Sequence, residues 1–186
     1  MRASILKIAG LLIGLSLAIL ALRMYWQDGQ EWSQSVVSSN EETNSTESTE
    51  TLSGWEGYAH PELPFAFAYP KDLTPSTFAD GEAEIVLLKG KEPEREVQIV
   101  IRAFDESGLL TVERIQRDIP DMVIEESQNV LIGSAQIPAL LFWSESGSAG
   151  RTREVWFVQG GYLYQITGSA EMDETLAKMM ETWRFE

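Results

Sequence analysis

His60 is the only histidine in the chain, and there is no cysteine. A histidine acting as general base needs a nucleophile and an orienting acid brought to it by the fold. His60 instead stands directly before Pro61 at the start of the globular region, where an ordinary surface or capping role is the simpler reading. No Gly-x-Ser-x-Gly elbow marks a nucleophile, and Ser148 lies in Gly147-Ser148-Ala149-Gly150, which reads as a loop. One histidine without cysteine makes a zinc site implausible and excludes disulfides. Carboxylates are plentiful: Glu92, Glu94 and Glu96; Asp105 and Glu106; Glu125 and Glu126; Glu171, Asp173 and Glu174. Calcium asks only for oxygen ligands, so any of these groups is compatible with weak Ca²⁺ binding, but none follows the Asp-x-Asp-x-Asp-Gly loop. No acid pair stands out for glycoside chemistry, and no glycine-rich loop is shaped to cradle phosphate. No catalytic residue, metal ligand or cofactor is assigned.

What remains is binding chemistry. Arg151 and Arg153, two apart, project to the same side of a strand. They either pair with Glu145 or Glu154 or form part of a face for a partner. Trp55 and Tyr58, where the globular region begins, pack on it or on a partner. These four residues are the candidate partner-binding set. Trp143, Trp156 and Trp183 read as core.

The elements that must position these residues are mostly strands. Phe65, Phe67 and Tyr69 alternate with Ala66 and Ala68 up to Pro70, giving a strand with one aromatic face. Short strands are expected over 84–88, 97–104, 127–133 and 137–143, with a charged turn at 91–94. Thr111 is placed to cap a helix through 119, with Val112, Ile115 and Ile119 on one face and Pro120 past its end. Residues 151–159 and 162–167 form a hairpin about Gly160-Gly161, since both glycines can adopt positive φ. A second helix is expected over 171–182, with Met172, Leu176, Met179, Met180 and Trp183 on one stripe, and 183–185 finishes as a short strand. Several strands are apolar on both sides. The expected fold is therefore α+β: a mostly antiparallel sheet covered by helices on both faces, an α/β/α sandwich.

Before this region the chain changes character. Residues 8–22 are uncharged and apolar, with Arg2 and Lys7 before them and Arg23 after. Their leucines and isoleucines each favour insertion by roughly 0.3–0.6 kcal/mol, about 3–5 kcal/mol together. The run is short for a span, but Lys7 and Arg23 can snorkel, and Tyr25 and Trp26 suit the membrane interface. Residues 1–26 are read as a single-pass anchor, with the N-terminus cytoplasmic and the rest extracytoplasmic; the alternative is a cleaved signal peptide. Without cysteine, lipoprotein attachment is excluded. Residues 27–54 hold Ser, Thr, Asn and Glu but no Lys or Arg, and read as a disordered linker reaching on the order of 30 Å. The globular domain is 55–186, about 130 residues, enough for one domain with its own core. The formal net charge of −15 argues against nucleic acid as a partner and against lying flat on anionic lipid.

Three stretches of this domain together resemble the PsbP family, the extrinsic lumenal proteins of photosystem II. They are LPFAFAYP at 63–70, VWFVQGGYLYQIT at 155–167, and the helix closing on ETWRF at 181–185. The resemblance implies an α/β/α sandwich, in agreement with the pattern above. Plant PsbP has no membrane anchor and no acidic spacer of this kind, and PsbP-like domains occur outside photosynthesis. The expected function is a membrane-anchored, extracytoplasmic, non-catalytic binding or assembly module with a protein partner at the membrane surface. Two alternatives stand beside it. One is a PsbP-related protein binding a small ligand or calcium, including an accessory role at a photosynthetic membrane. The other is an enzyme whose site sequence does not reveal.

Overall fold

The computed structural model describes residues 53–106, 108–146 and 150–186. The expected anchor, 1–26, lies outside the described residues, as does all but the end of the expected linker. Residues 53–186 form one compact unit.

The order of elements is β1 (Trp55–Ala59), β2 (Phe65–Pro70), β3 (Thr74–Asp80), β4 (Ala83–Lys89), β5 (Glu96–Ala103), α1 (Val112–Asp118), β6 (Glu125–Ile132), β7 (Ile137–Ser146), β8 (Gly150–Gln159), β9 (Tyr162–Ser169), a 3₁₀ turn (Ala170–Met172), α2 (Asp173–Glu181) and β10 (Arg184–Phe185). All strand pairs are antiparallel. Seven strands form one sheet in the order β3-β4-β5-β9-β8-β7-β6, and β1-β2-β10 form a second, smaller sheet. The hairpin glycines Gly160 and Gly161 have φ of 60° and 81°, as the turn between β8 and β9 demands.

The large sheet has two apolar faces because β8 carries an unbroken apolar run, Val155–Val158, and β9 places Leu163, Tyr164 and Ile166 beside it. Val155 and Phe157 of β8, with Tyr164 and Ile166 of β9, bury on one side; Trp156 of β8 and Leu163 of β9 bury on the other. Helix α1 and its flanks cover the second side through Leu110, Ile115 and Ile119. Thr111 caps α1, its Oγ1 accepting from Arg114 N at 3.2 Å. The Arg114 guanidinium then ties the helix to the preceding loop through Glu106, at 2.8 and 3.0 Å, and to Asp118 within the helix.

The first side is covered by α2 and by the small sheet together. The sandwich expected from sequence is thus present, but one of its outer layers is part sheet. Two of the strands, β1 and β3, carry no apolar alternation and are not expected from the sequence pattern. Trp55–Ala59 and Thr74–Asp80 are mostly exposed, because β1 is an edge of the small sheet and β3 an edge of the large one.

Trp183, fully buried, locks this layer. Its ring stacks on Phe65 at 5.0 Å and on Phe67 at 5.1 Å, and meets Phe157 of the large sheet edge-on at 5.5 Å. Leu176, Met179 and Met180 bury the inner face of α2 beside it. Thr182 joins helix to sheet: its hydroxyl donates to Met179 O at 2.8 Å and accepts from Ala68 N at 2.9 Å. The turn between β6 and β7 closes on the same point. Gly133 N donates to Met180 O at 2.9 Å, and Gly133 has φ of 63°. A β-carbon there would stand 1.9 Å from the Trp183 carbonyl oxygen.

Gly133→Ala is therefore expected to combine left-handed backbone strain with a clash against main chain, at a cost of about 3 kcal/mol or more. Thermal unfolding should show a midpoint about 10 °C lower. A midpoint within 2–3 °C of the parent, about 1 kcal/mol, would mean that the turn and Trp183 are not in the contact described.

Candidate functional site

The four candidate residues fall into two separate pairs, one residue of each touching α2: Trp55 meets Lys178 and Arg153 meets Asp173. Trp55 and Tyr58 pack on the domain itself. Lys178 Nζ of α2 lies 5.3 Å from the Trp55 ring centroid. The Tyr58 ring lies 5.0 Å from Phe67, and its hydroxyl is 3.0 Å from Thr77 Oγ1 of β3. Tyr58 thus links the small sheet to the edge of the large one, and burial pushes its hydroxyl pKa up.

Arg151 and Arg153 do share a face. Cross-strand pairing sets Trp143 of β7 opposite Arg153, and both guanidiniums lie over its ring, with Cζ at 4.4 and 4.6 Å from the centroid. Trp143, expected in the core, is only half-buried and serves as the platform for two cations. The expected pairing with Glu145 or Glu154 is not what forms. Arg151 Nη2 sits 3.1 Å from Glu126 Oε1 and 3.8 Å from Glu125 Oε2, while Arg153 Nε sits 3.0 Å from Asp173 Oδ1. Adjacent residues on a strand face opposite ways, so Glu154 is on the far side of the sheet. A β-bulge interrupts β6 between Glu125 and Gln128. Within it Glu126 has φ of 51°, an uncommon conformation for a side-chain-bearing residue, and it is this carboxylate that reaches Arg151.

Beside the two arginines, a groove of about 280 Å³ runs between α2 and strands β6, β7 and β8. Val130, Leu141, Val155, Leu176 and Met180 give it an aliphatic wall; Arg153, Asp173 and Glu181 supply its polar part. Leu131, at 60% exposure, stands at its rim. An aromatic platform carrying two cations, next to an apolar groove, is equipped to bind an anionic or aromatic group. Sequence showed the Arg-x-Arg spacing but not the tryptophan under it or the groove, because both depend on which strands pair and on where α2 lands.

His60 is buried rather than on the surface, and it does cap. Its Nδ1 accepts from Leu63 N at 2.9 Å and Glu62 N at 3.2 Å, its ring stacks on Phe65, and Nε2 lies 3.1 Å from Glu84 Oε1. With Nδ1 occupied as an acceptor, the proton belongs on Nε2. Several of the acidic residues considered for calcium are engaged by arginine: Glu106 by Arg114, Glu125 and Glu126 by Arg151, Asp173 by Arg153. Among the described residues, no cluster of three or more His, Asp or Glu is arranged to hold a metal ion.

Glu154 is a group that sequence did not single out as titrating. Its carboxyl is buried on the α1 side of the sheet and accepts from Thr152 Oγ1 at 2.8 Å, Trp156 Nε1 at 3.0 Å and Thr167 Oγ1 at 2.7 Å. Burial raises its pKa from 4.5 to about 7, and the three donors offset only part of that rise. Below pH 4.5 folded and unfolded chains both hold the proton. Between there and about 7 the unfolded chain releases it first, so this group's contribution to stability falls as pH rises. Above that range the loss amounts to roughly 3 kcal/mol.

Glu154→Gln keeps the shape without the charge. Urea unfolding at pH 4.5 and pH 8 should show the parent losing roughly 3 kcal/mol more than this variant across the interval. Identical pH dependence in the two proteins would show that the carboxyl ionises no differently when folded.

The chain is similar in structure to cyanobacterial PsbP (CyanoP) from Synechocystis sp. PCC 6803, known from a solution structure. The TM-score is 0.50 at 8% sequence identity, with 76% of this chain and 98% of that chain covered. No protein-family model matches the chain, and no curated protein matches it in sequence. What this domain shares with CyanoP is its fold, a PsbP-like arrangement of mostly antiparallel sheet with two short helices.

Proposed function

We propose that this chain is a non-catalytic binding module that engages a protein partner at a membrane surface through the face built by Arg151, Trp143 and Arg153. The observation that carries this reading is the pair of guanidiniums on one half-buried indole. It brings two guanidiniums and aromatic surface together at one place beside an apolar groove. Arg and Trp are the side chains that most often dominate the energetics of protein interfaces. Arg151 is half-exposed and its ion-pair partners are exposed carboxylates, so those pairs can be exchanged for a partner's acidic group at little cost.

In this proposal, residues 1–26 anchor the chain with its N-terminus in the cytoplasm, and residues 27–54 let the domain range over the outer face of the membrane. Confinement there raises the effective concentration of the domain near membrane partners. Trp55 and Tyr58 serve the domain's own packing in this reading. The PsbP-like fold supports a module of this kind, although a fold by itself does not assign a role.

Crosslinking on intact membranes, followed by purification, should recover one specific partner. Arg151→Glu should lower that recovery about tenfold or more by opposing like charges, while Arg184→Glu, on β10, leaves it unchanged. Equal recovery with Arg151→Glu would reject this face as the docking surface. Membranes washed in alkaline carbonate should retain the full-length chain, and its release into the wash would reject the anchor.

A further inference from the structure

The large sheet ends on β3 at one side and on β6 at the other, and the two edges differ. An open edge offers unpaired N–H and C=O groups to any strand that meets it, and proteins blunt it with proline, charge or cover. The β3 edge is blunted: it carries Pro75, and Tyr58 lies against it through the bond to Thr77. Past its bulge, β6 is not. Residues 128–132 pair regularly with β7, hold neither proline nor a charged side chain, and leave Leu131 60% exposed. The pairing also fixes which main-chain groups are free. Leu131 stands opposite Pro138, which has no N–H to give, and the closing hairpin pair Gln159–Tyr162 sets the same alternation through β8 and β7. Gln128, Val130 and Ile132 therefore bond to β7, while Asn129 and Leu131 turn their N–H and C=O to the open edge. Among the described residues no other backbone group meets them. The next donor in that series, Gly133 N, is taken by Met180 O of α2.

We propose that β6 receives one added strand from a basic, apolar stretch of a partner protein, paired along 128–132. The bulge between Glu125 and Gln128 closes one end of this site, and the bond from Gly133 to Met180 closes the other. A strand there lies beside the groove of about 280 Å³ between α2 and β6–β8, whose aliphatic wall suits its inward side chains. Charge selects the sign of the partner. The lining holds Asp173 and Glu181 against Arg153, and Arg153 is already paired with Asp173. Glu181, on the exposed flank of α2, is placed to meet a lysine or arginine of the added strand. Residues 27–54 of this chain have neither, and a second copy of β6 would bring its own Asp173 and Glu181 to the same edge. In this mode main-chain bonds supply affinity and alternate side chains supply specificity. The site goes beyond the arginine face, and it is tested on the purified chain with no partner of that face present, so either reading can fail alone.

The test is fluorescence anisotropy of the end-blocked peptide Lys-Val-Thr-Val-Thr-Val-Lys, titrated with the full chain in nanodiscs of zwitterionic lipid, with empty nanodiscs as the blank. Saturable binding is expected, with Kd about 0.01–0.1 mM for so short a strand. The same peptide N-methylated along its backbone keeps its charge and loses its donors, and should bind at least tenfold more weakly. Exchanging both lysines for glutamate should weaken binding as much. Leu131→Pro deletes one outward N–H without touching the ladder to β7, and should also weaken binding at least tenfold. Amide exchange in the parent chain, read by NMR, gives the answer should that variant misfold. Bound peptide should slow exchange at Asn129 and Leu131 at least tenfold and leave Gln128 and Val130 unchanged. No saturable binding overturns the proposal, as does equal binding of the N-methylated or glutamate peptide, full binding by a folded Leu131→Pro variant, or exchange at Asn129 and Leu131 that bound peptide does not slow. Protection of those two amides by self-association of the chain overturns it in favour of a second copy.

Discussion

The architecture depends on covering one face of the seven-stranded sheet, and Trp183 is where that cover is fastened. A sheet with apolar residues on both sides must be enclosed twice. On the α1 side a short helix and its flanking segments suffice. On the other side, α2 has only nine residues, too few to cover the sheet by itself. The small sheet completes the layer, and the stack of Phe65, Trp183 and Phe67 binds the two together while Phe157 meets it from below. The turn at Gly133 admits the Trp183 main chain at a distance no other residue type tolerates.

That fastening has consequences away from the core. With the C-terminal end of α2 held by Trp183 and by the Thr182 bridge to β2, its N-terminal end falls beside β8. There Asp173 meets Arg153, and Leu176 and Met180 form one wall of the groove. The same helix sends Lys178 over Trp55. One element thus touches a member of each candidate pair, Trp55 and Arg153. Trp55 and Tyr58 contact other parts of the domain, whereas Arg151 and Arg153 lie over the half-buried Trp143 ring.

Polar groups are distributed unevenly between the two sides of β8. Arg153 and Glu154 are neighbours in sequence, yet they face opposite ways into different environments. The arginine faces Asp173 and the Trp143 ring. The glutamate has three neutral donors and no cation, so burial raises its pKa. Alternation along a strand is enough to give two adjacent ionisable residues opposite electrostatic fates.

Much of this was legible in the residues alone. Alternation in 65–70, 151–159 and 162–167, the Gly160-Gly161 turn, the Thr111 cap and the apolar stripe of 172–183 each express a local rule, and each corresponds to an element of the structure. The ordered resemblance to PsbP pointed to the same fold. The strands β1 and β3 carried no such mark, since edge strands facing solvent need no apolar period. The partners of Arg151 and Arg153, the place of Trp143, the burial of His60 and Glu154, and the groove itself were settled only in three dimensions. Local periodicity says which face of an element turns inward. Which side chain waits on the other side is decided by strand pairing and helix placement, and those are properties of the whole packed chain.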